Sequence, residues 1–203
     1  MNNAVKRLAL AACTMLALTS CGGNDTSEGT GAKAPTLAPD DTTTPAEAAA
    51  AATNERGFIV KQLGEPACFG SEGKDCAGGV TFSVDEVDID PACSLLAPSD
   101  GAHALVLHVR IATGADAEMA NRVSGVINPF SFVEIGKDGV TREVQFGTCS
   151  DSSASLPGTF GPNQQDQGVI DLEVPEASGT IALQLGAAEE DGQRGWEWTY
   201  PAA

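Results

Sequence analysis

The spacing of apolar residues changes twice along the chain. Residues 8–18, LALAACTMLAL, form an almost unbroken apolar run behind Lys6 and Arg7. The run is too short to span a bilayer as a mature helix, and it closes on Leu18-Thr19-Ser20-Cys21, a small-residue cleavage pattern that ends in cysteine. Basic start, apolar run and cleavage motif in that order predict a lipoprotein signal peptide over residues 1–20. From residue 21 to 56 the periodicity disappears: the text is small, polar and proline-rich and cannot bury a core, so it predicts a disordered linker. About 35 residues of this composition have a root-mean-square reach of roughly 30–35 Å.

From Phe58 onward, short apolar runs alternate with Gly, Pro, Asp and Ser, the pattern of an all-β sandwich. Strands are predicted at residues 58–62, 80–90, 103–111, 130–135, 140–146, 169–174, 180–185 and 194–200. Residues 68–76 read as a small glycine-containing loop and residues 113–128 as a longer one, with no amphipathic helix after residue 57. Within 80–90, Val80, Phe82 and Val84 share one parity and Val87 and Ile89 the other, which predicts a β-bulge near Asp85 and Glu86. Within 103–111, Leu105, Leu107, Val109 and Ile111 share the core parity, leaving Ala104, Val106, His108 and Arg110 on the opposite face. Gly136-Lys137-Asp138-Gly139 sits between two β-prone runs and predicts a hairpin. Residues 57–203 are thus expected to form one domain.

Charge narrows the partners. Losing residues 1–20 removes Lys6 and Arg7 from 11 basic residues and none of the 28 acids, leaving 9 against 28 and a formal charge of −19. Phosphate repels such a surface, which argues against nucleic acid and anionic headgroups as partners. Cleavage before Cys21 leaves its thiol to carry a diacylglycerol and the new amino terminus a further acyl chain such as palmitate. The membrane is therefore the expected partner of Cys21, and the extracellular face of the cell membrane the expected location.

Of six cysteines, Cys13 leaves with the signal peptide and Cys21 takes the lipid. Cys68, Cys76, Cys93 and Cys149 remain, an even number that in an exported chain predicts two disulfides. Cys68 and Cys76 are close enough to pair locally, and three connectivities are open on spacing alone. A zinc site is disfavoured because no Cys-x-x-Cys pair occurs and only His103 and His108 could assist.

Little else in the chain resembles catalytic chemistry. There is no nucleophile elbow, His-Glu-x-x-His, phosphate-binding glycine loop or dinucleotide fingerprint. The acidic runs Asp85-Glu86-Asp88-Asp90 and Glu189-Glu190-Asp191 lack the regular calcium-loop spacing and read as solvated loops, so no metal or cofactor is expected. Four residues are candidates to face a ligand: His108 and Arg110, on the non-core face of their strand, and Trp196 and Trp198, which could stack on sugar rings but by pattern are better placed in the core.

Several stretches together resemble a known family. The lipobox and tether, FIVKQLGEPA, DEVDIDPAC with HALVLHVRI, FSFVEIGKDGV, FGPNQQDQGVIDLEVP and GWEWTYP are similar to the telokin-like, immunoglobulin-fold domains of unknown function in secreted actinobacterial lipoproteins. The resemblance covers residues 57–201 and implies an immunoglobulin-like antiparallel β-sandwich without catalytic residues. In relatives, a cysteine after an Asp-Pro step is matched by one just past the hairpin. Cys93 and Cys149 occupy those positions, so the resemblance implies that they pair, which leaves Cys68 with Cys76. The Cys68 loop departs from the family pattern.

Two classes of function follow as expectations. The first is a non-catalytic surface module that binds or presents an envelope or extracellular protein. The second is an accessory subunit of an envelope enzyme, or a weak carbohydrate or ion binder, for which solvent-facing Trp196 and Trp198 would be the distinguishing feature.

Overall fold

The computed structural model describes residues 53–70, 76, 78–186 and 193–201. The signal peptide, Cys21, most of the linker and the acidic run 189–191 lie outside the described residues.

Among the described residues, ten strands, one helix and two 3-10 turns follow one another: β1 (Phe58–Val60), β2 (Ala67–Phe69), β3 (Val80–Ile89), β4 (His103–Thr113), α1 (Ala117–Val126), a turn (Pro129–Ser131), β5 (Phe132–Ile135), β6 (Thr141–Glu143), β7 (Gln145–Phe146), a turn (Ser152–Ala154), β8 (Gln165–Val174), β9 (Gly179–Gln184) and β10 (Gly195–Tyr200). They form two five-stranded sheets, β1-β10-β9-β5-β6 and β2-β3-β4-β8-β7. The strand pairs are antiparallel except β1 with β10, where Phe58 stands opposite Gly195 in parallel register. The architecture is the antiparallel β-sandwich that the alternating pattern predicts.

The predicted phase change in β3 is present: its register against β4 shifts between Val84 and Glu86. Before the bulge Val80, Phe82 and Val84 point into the sandwich, and after it Val87 and Ile89 pack against the same core. Leu105, Leu107, Val109 and Ile111 of β4 join them, as do Ile170, Leu172 and Val174 of β8. Phe82 is the hub, with its ring 5.0 Å from Trp196 at 86° and 6.3 Å from Trp198 at 63°. Edge-to-face pairs of this kind add to area burial because ring edges and faces carry opposite partial charge. The buried hydrophobic residues among those described run from Phe58 to Tyr200, so this segment holds a core of its own.

Several expectations are corrected. Residues 113–128 hold a helix, α1, where a loop was expected. Asp116 caps it by accepting from the amides of Glu118 and Met119, and Ala120, Val123 and Ile127 recur at intervals of three and four to face the core. Residues 67–69, partly assigned to the Cys68 loop, are strand β2 on the edge of β3. The predicted second hairpin strand, 140–146, divides at Val144: β6 pairs with β5 in one sheet, and β7 pairs with β8 in the other. Val144 packs inward at this crossing.

Residues 53–56, assigned to the linker by composition, fold onto the domain. Thr53 bridges Ile59, and Asn54 and Arg56 reach the buried carboxylate of Glu197. Arg56 donates to both Glu197 oxygens at 2.7 and 2.9 Å, and Asn54 donates to one at 2.7 Å, which compensates the charge that β10 buries on its outer face.

Candidate functional site

Two surfaces of the β2-β3-β4-β8-β7 sheet bear on function. The first is its outer face. Register places Glu86 opposite His108 and Ser83 opposite Arg110, so the basic residues of β4 meet the acidic stretch of β3. His103 Nδ1 lies 2.7 Å from Asp90, His108 Nε2 lies 3.0 Å from Asp88, and Arg110 donates to Asp85 at 2.8 Å. The His103 hydrogen bond, with a lesser one from the Ala104 amide, holds the Asp90 carboxyl below the usual carboxylate range. His108 and Arg110 are thus solvent-facing but already engaged, in pairs whose energy water and salt screen. Among the described residues no group of three or more His, Cys, Asp or Glu side chains is arranged to hold a metal.

Trp196 and Trp198, the other candidate ligand-facing residues, lie in the core, the placement that their pattern favoured. They are 2% and 0% exposed, because β10 presents both, with Tyr200, to the sandwich interior. Neither can stack on a sugar.

The second surface is a cleft of about 400 Å³ where the edge of this sheet meets α1 and the turn after it. Leu95, Ile127, Pro129, Phe146, Leu156 and Val169 supply most of its apolar wall. Each wall has a local cause. Asn128 accepts from the Phe130 amide and donates to the Ser124 and Gly125 carbonyls and Ser131 Oγ, which fixes the bend from α1 into the Pro129–Ser131 turn. Opposite it, segment 154–156 lies directly on β8 because residue 168 is glycine: a Cβ there would stand 2.7 Å from the Leu156 amide nitrogen and 2.9 Å from the Ala154 carbonyl oxygen.

Both disulfides are formed, Cys68 with Cys76 and Cys93 with Cys149. The second packs with Ala104, Val106 and Val169 on the outer face of the sheet. It also sets the third wall of the cleft. The amides of Ser94 and Leu95 donate to the Cys149 carbonyl at 2.8 and 3.2 Å, and that of Leu96 to Thr148 at 3.1 Å, so the bridge and its hydrogen bonds hold Leu95 at the cleft.

At the mouth, Leu95 is 53%, Phe146 56% and Phe130 85% exposed, and the two phenylalanine rings stack with centroids 6.4 Å apart. Phe130 also lines a second hollow, of about 600 Å³, with Val126, Val133 and Val144. The sequence pattern gives no hint of these outward rings, since Phe130 and Phe146 read as strand residues. The signals available were Asn128-Pro129, which turns the chain just before Phe130, and the division of the strand at Val144.

No family model matches the sequence, and no curated protein matches it. Among solved structures the chain is similar to MPT63, a secreted protein of Mycobacterium tuberculosis, at 13% identity over 70% of this chain and 97% of that one, with a TM-score of 0.47. It is also similar to YcdA of Bacillus subtilis, at 14% identity and a TM-score of 0.43, over 62% of this chain and 37% of YcdA.

Proposed function

We propose that this protein is a non-catalytic binding module, held at the extracellular face of the cell membrane by lipid on Cys21, and that the cleft with its aromatic rim receives an envelope or extracellular partner. The resemblance to telokin-like domains of actinobacterial lipoproteins agrees with this reading. Its main support is the contrast between the two surfaces. The polar groups of the outer face are committed to one another, whereas Leu95, Phe130 and Phe146 leave large apolar area open around a concavity. Neighbouring exposed apolar side chains beside a cleft mark a site where something docks. The carbohydrate-binding alternative loses its basis, because it depended on open tryptophans.

The test is a photo-crosslinking residue at position 146 on intact cells, with position 60 as control, since Val60 is also exposed but lies on edge strand β1 of the other sheet. Adducts are expected from position 146 and not from position 60. Cys21→Ser should abolish them by releasing the protein or leaving it as uncut precursor. Identical products from both positions, or a Cys21→Ser protein that still partitions with membranes as the parent does, would overturn the proposal.

A further inference from the structure

We infer that the cleft takes a linear acyl chain with an uncharged head group. The inference rests on the reading of the cleft as the binding site and adds the chemistry of its ligand. Three observations carry it.

The first is charge. No Lys, Arg or His lines the cleft, and its one charged residue, Asp171, is already hydrogen-bonded at both oxygens, to the Ser150 amide at 2.7 Å and to Ser150 Oγ at 2.7 Å. An anionic head group would meet an unbalanced carboxylate within a chain of formal charge −17 and find no cation, so carboxylate and phosphate heads are disfavoured.

The second is hydrogen bonding. The hydroxyls of Thr148, Ser152 and Ser155 also line the cleft and make no hydrogen bond to other described residues. Hydroxyls both donate and accept, which suits a glycerol, amide or ester head.

The third is shape. At roughly 30 Å³ per heavy atom, the share of a water molecule in the liquid, the cleft holds on the order of a dozen heavy atoms. The apolar surface does not stop there. It continues over Phe146 to the stacked ring of Phe130, 85% exposed, so the apolar track is longer than the cleft itself. A compact ligand would use the cleft alone, whereas an extended chain covers both.

Displacement of Nile red, a neutral apolar fluorophore, tests this on residues 22–203, which contain the whole described fold and lack the lipidated cysteine. Nile red is expected to bind saturably at one site. Monodecanoylglycerol should displace it about tenfold more effectively than decanoate or decyltrimethylammonium, each kept below its aggregation concentration. Leu95→Glu with Phe146→Glu changes two half-exposed side chains at the mouth and should abolish the signal while the melting temperature stays near the parent's; if the pair unfolds, Phe146→Ser alone gives the same comparison.

The inference is overturned if no saturable site is found, if either charged competitor matches the glyceride, or if a folded mouth variant binds unchanged. The two proposals fail separately. Protein adducts from position 146 without glyceride displacement would sink the acyl ligand and keep the binding module, whereas displacement without adducts would keep the ligand and remove the protein partner.

Discussion

Tyr200 shows how much one side chain is asked to do in this core. Its hydroxyl donates to Glu134 Oε1 at 2.7 Å and lies 3.2 Å from the Glu176 carbonyl oxygen, while Glu134 is fully buried and its other oxygen has no partner among the described residues. Tyr200→Phe keeps the ring and strips the carboxyl of its one side-chain partner, which should cost about 1–3 kcal/mol, read as a lower urea midpoint at unchanged slope. Burial first, and then the hydrogen bond to Glu134, push the Tyr200 phenol upward. A raised pKa in the folded state means that the contribution is fully present below the ordinary tyrosine value of about 10 and is lost as pH rises above it. Tyr200 is the chain's one tyrosine, so absorbance titration reads it alone. Phenolate should appear together with unfolding, and a smooth titration near the ordinary value in folded protein would refute the buried arrangement.

At the scale of elements, the two disulfides should differ in weight. In the chain-entropy model the Cys93–Cys149 bridge, spanning 56 residues, restricts the unfolded chain by about 4 kcal/mol, and the Cys68–Cys76 bridge, spanning 8, by about 2.5 kcal/mol. Replacing Cys93 and Cys149 by serine should therefore lower the melting temperature more than replacing Cys68 and Cys76. It should also loosen Leu95, which the same bridge positions, so amide exchange at residues 94–96 should rise in the first variant and not in the second. An equal loss in both variants would contradict this account. Strands announced themselves wherever one face was consistently apolar, as in β4 and β8, and even the β3 bulge was legible because a change of parity has no other economical cause. Helix α1 was not, since Gly114, Asn121, Ser124 and Gly125 dilute a stripe made of small residues, although Asp116 and the spacing of Ala120, Val123 and Ile127 carry a cap and a face. The cleft was the least legible part. It joins Leu95, Ile127, Phe146 and Leu156, four positions far apart in sequence, and local pattern does not encode their meeting.

Over the whole molecule, the first and last strands are neighbours. Among the described residues β1 forms an edge of its sheet, with β10 as its strand partner and the single Thr53 bridge on its other side, and the Arg56–Glu197 ion pair ties the same two ends. A ribosome delivers a chain from its amino terminus, so β1 is made first and has nowhere to lie until the final strand arrives. Trp196, Trp198 and Tyr200 arrive with that strand, and until then Phe82 and β9 lack the partners that cover them. Closure of such a long-range pair is a late and slow event, because the entropy of bringing the ends together must be met before the contacts form. A chain ending before Gly195 should thus be open to protease along its whole length rather than trimmed at one end. Pulse proteolysis of purified chains truncated at successive positions should show protection arriving in one step, once β10 is included. The sandwich is thus closed by a single element: a chain without β10 lacks both the rings that cover Phe82 and the strand with which β1 pairs.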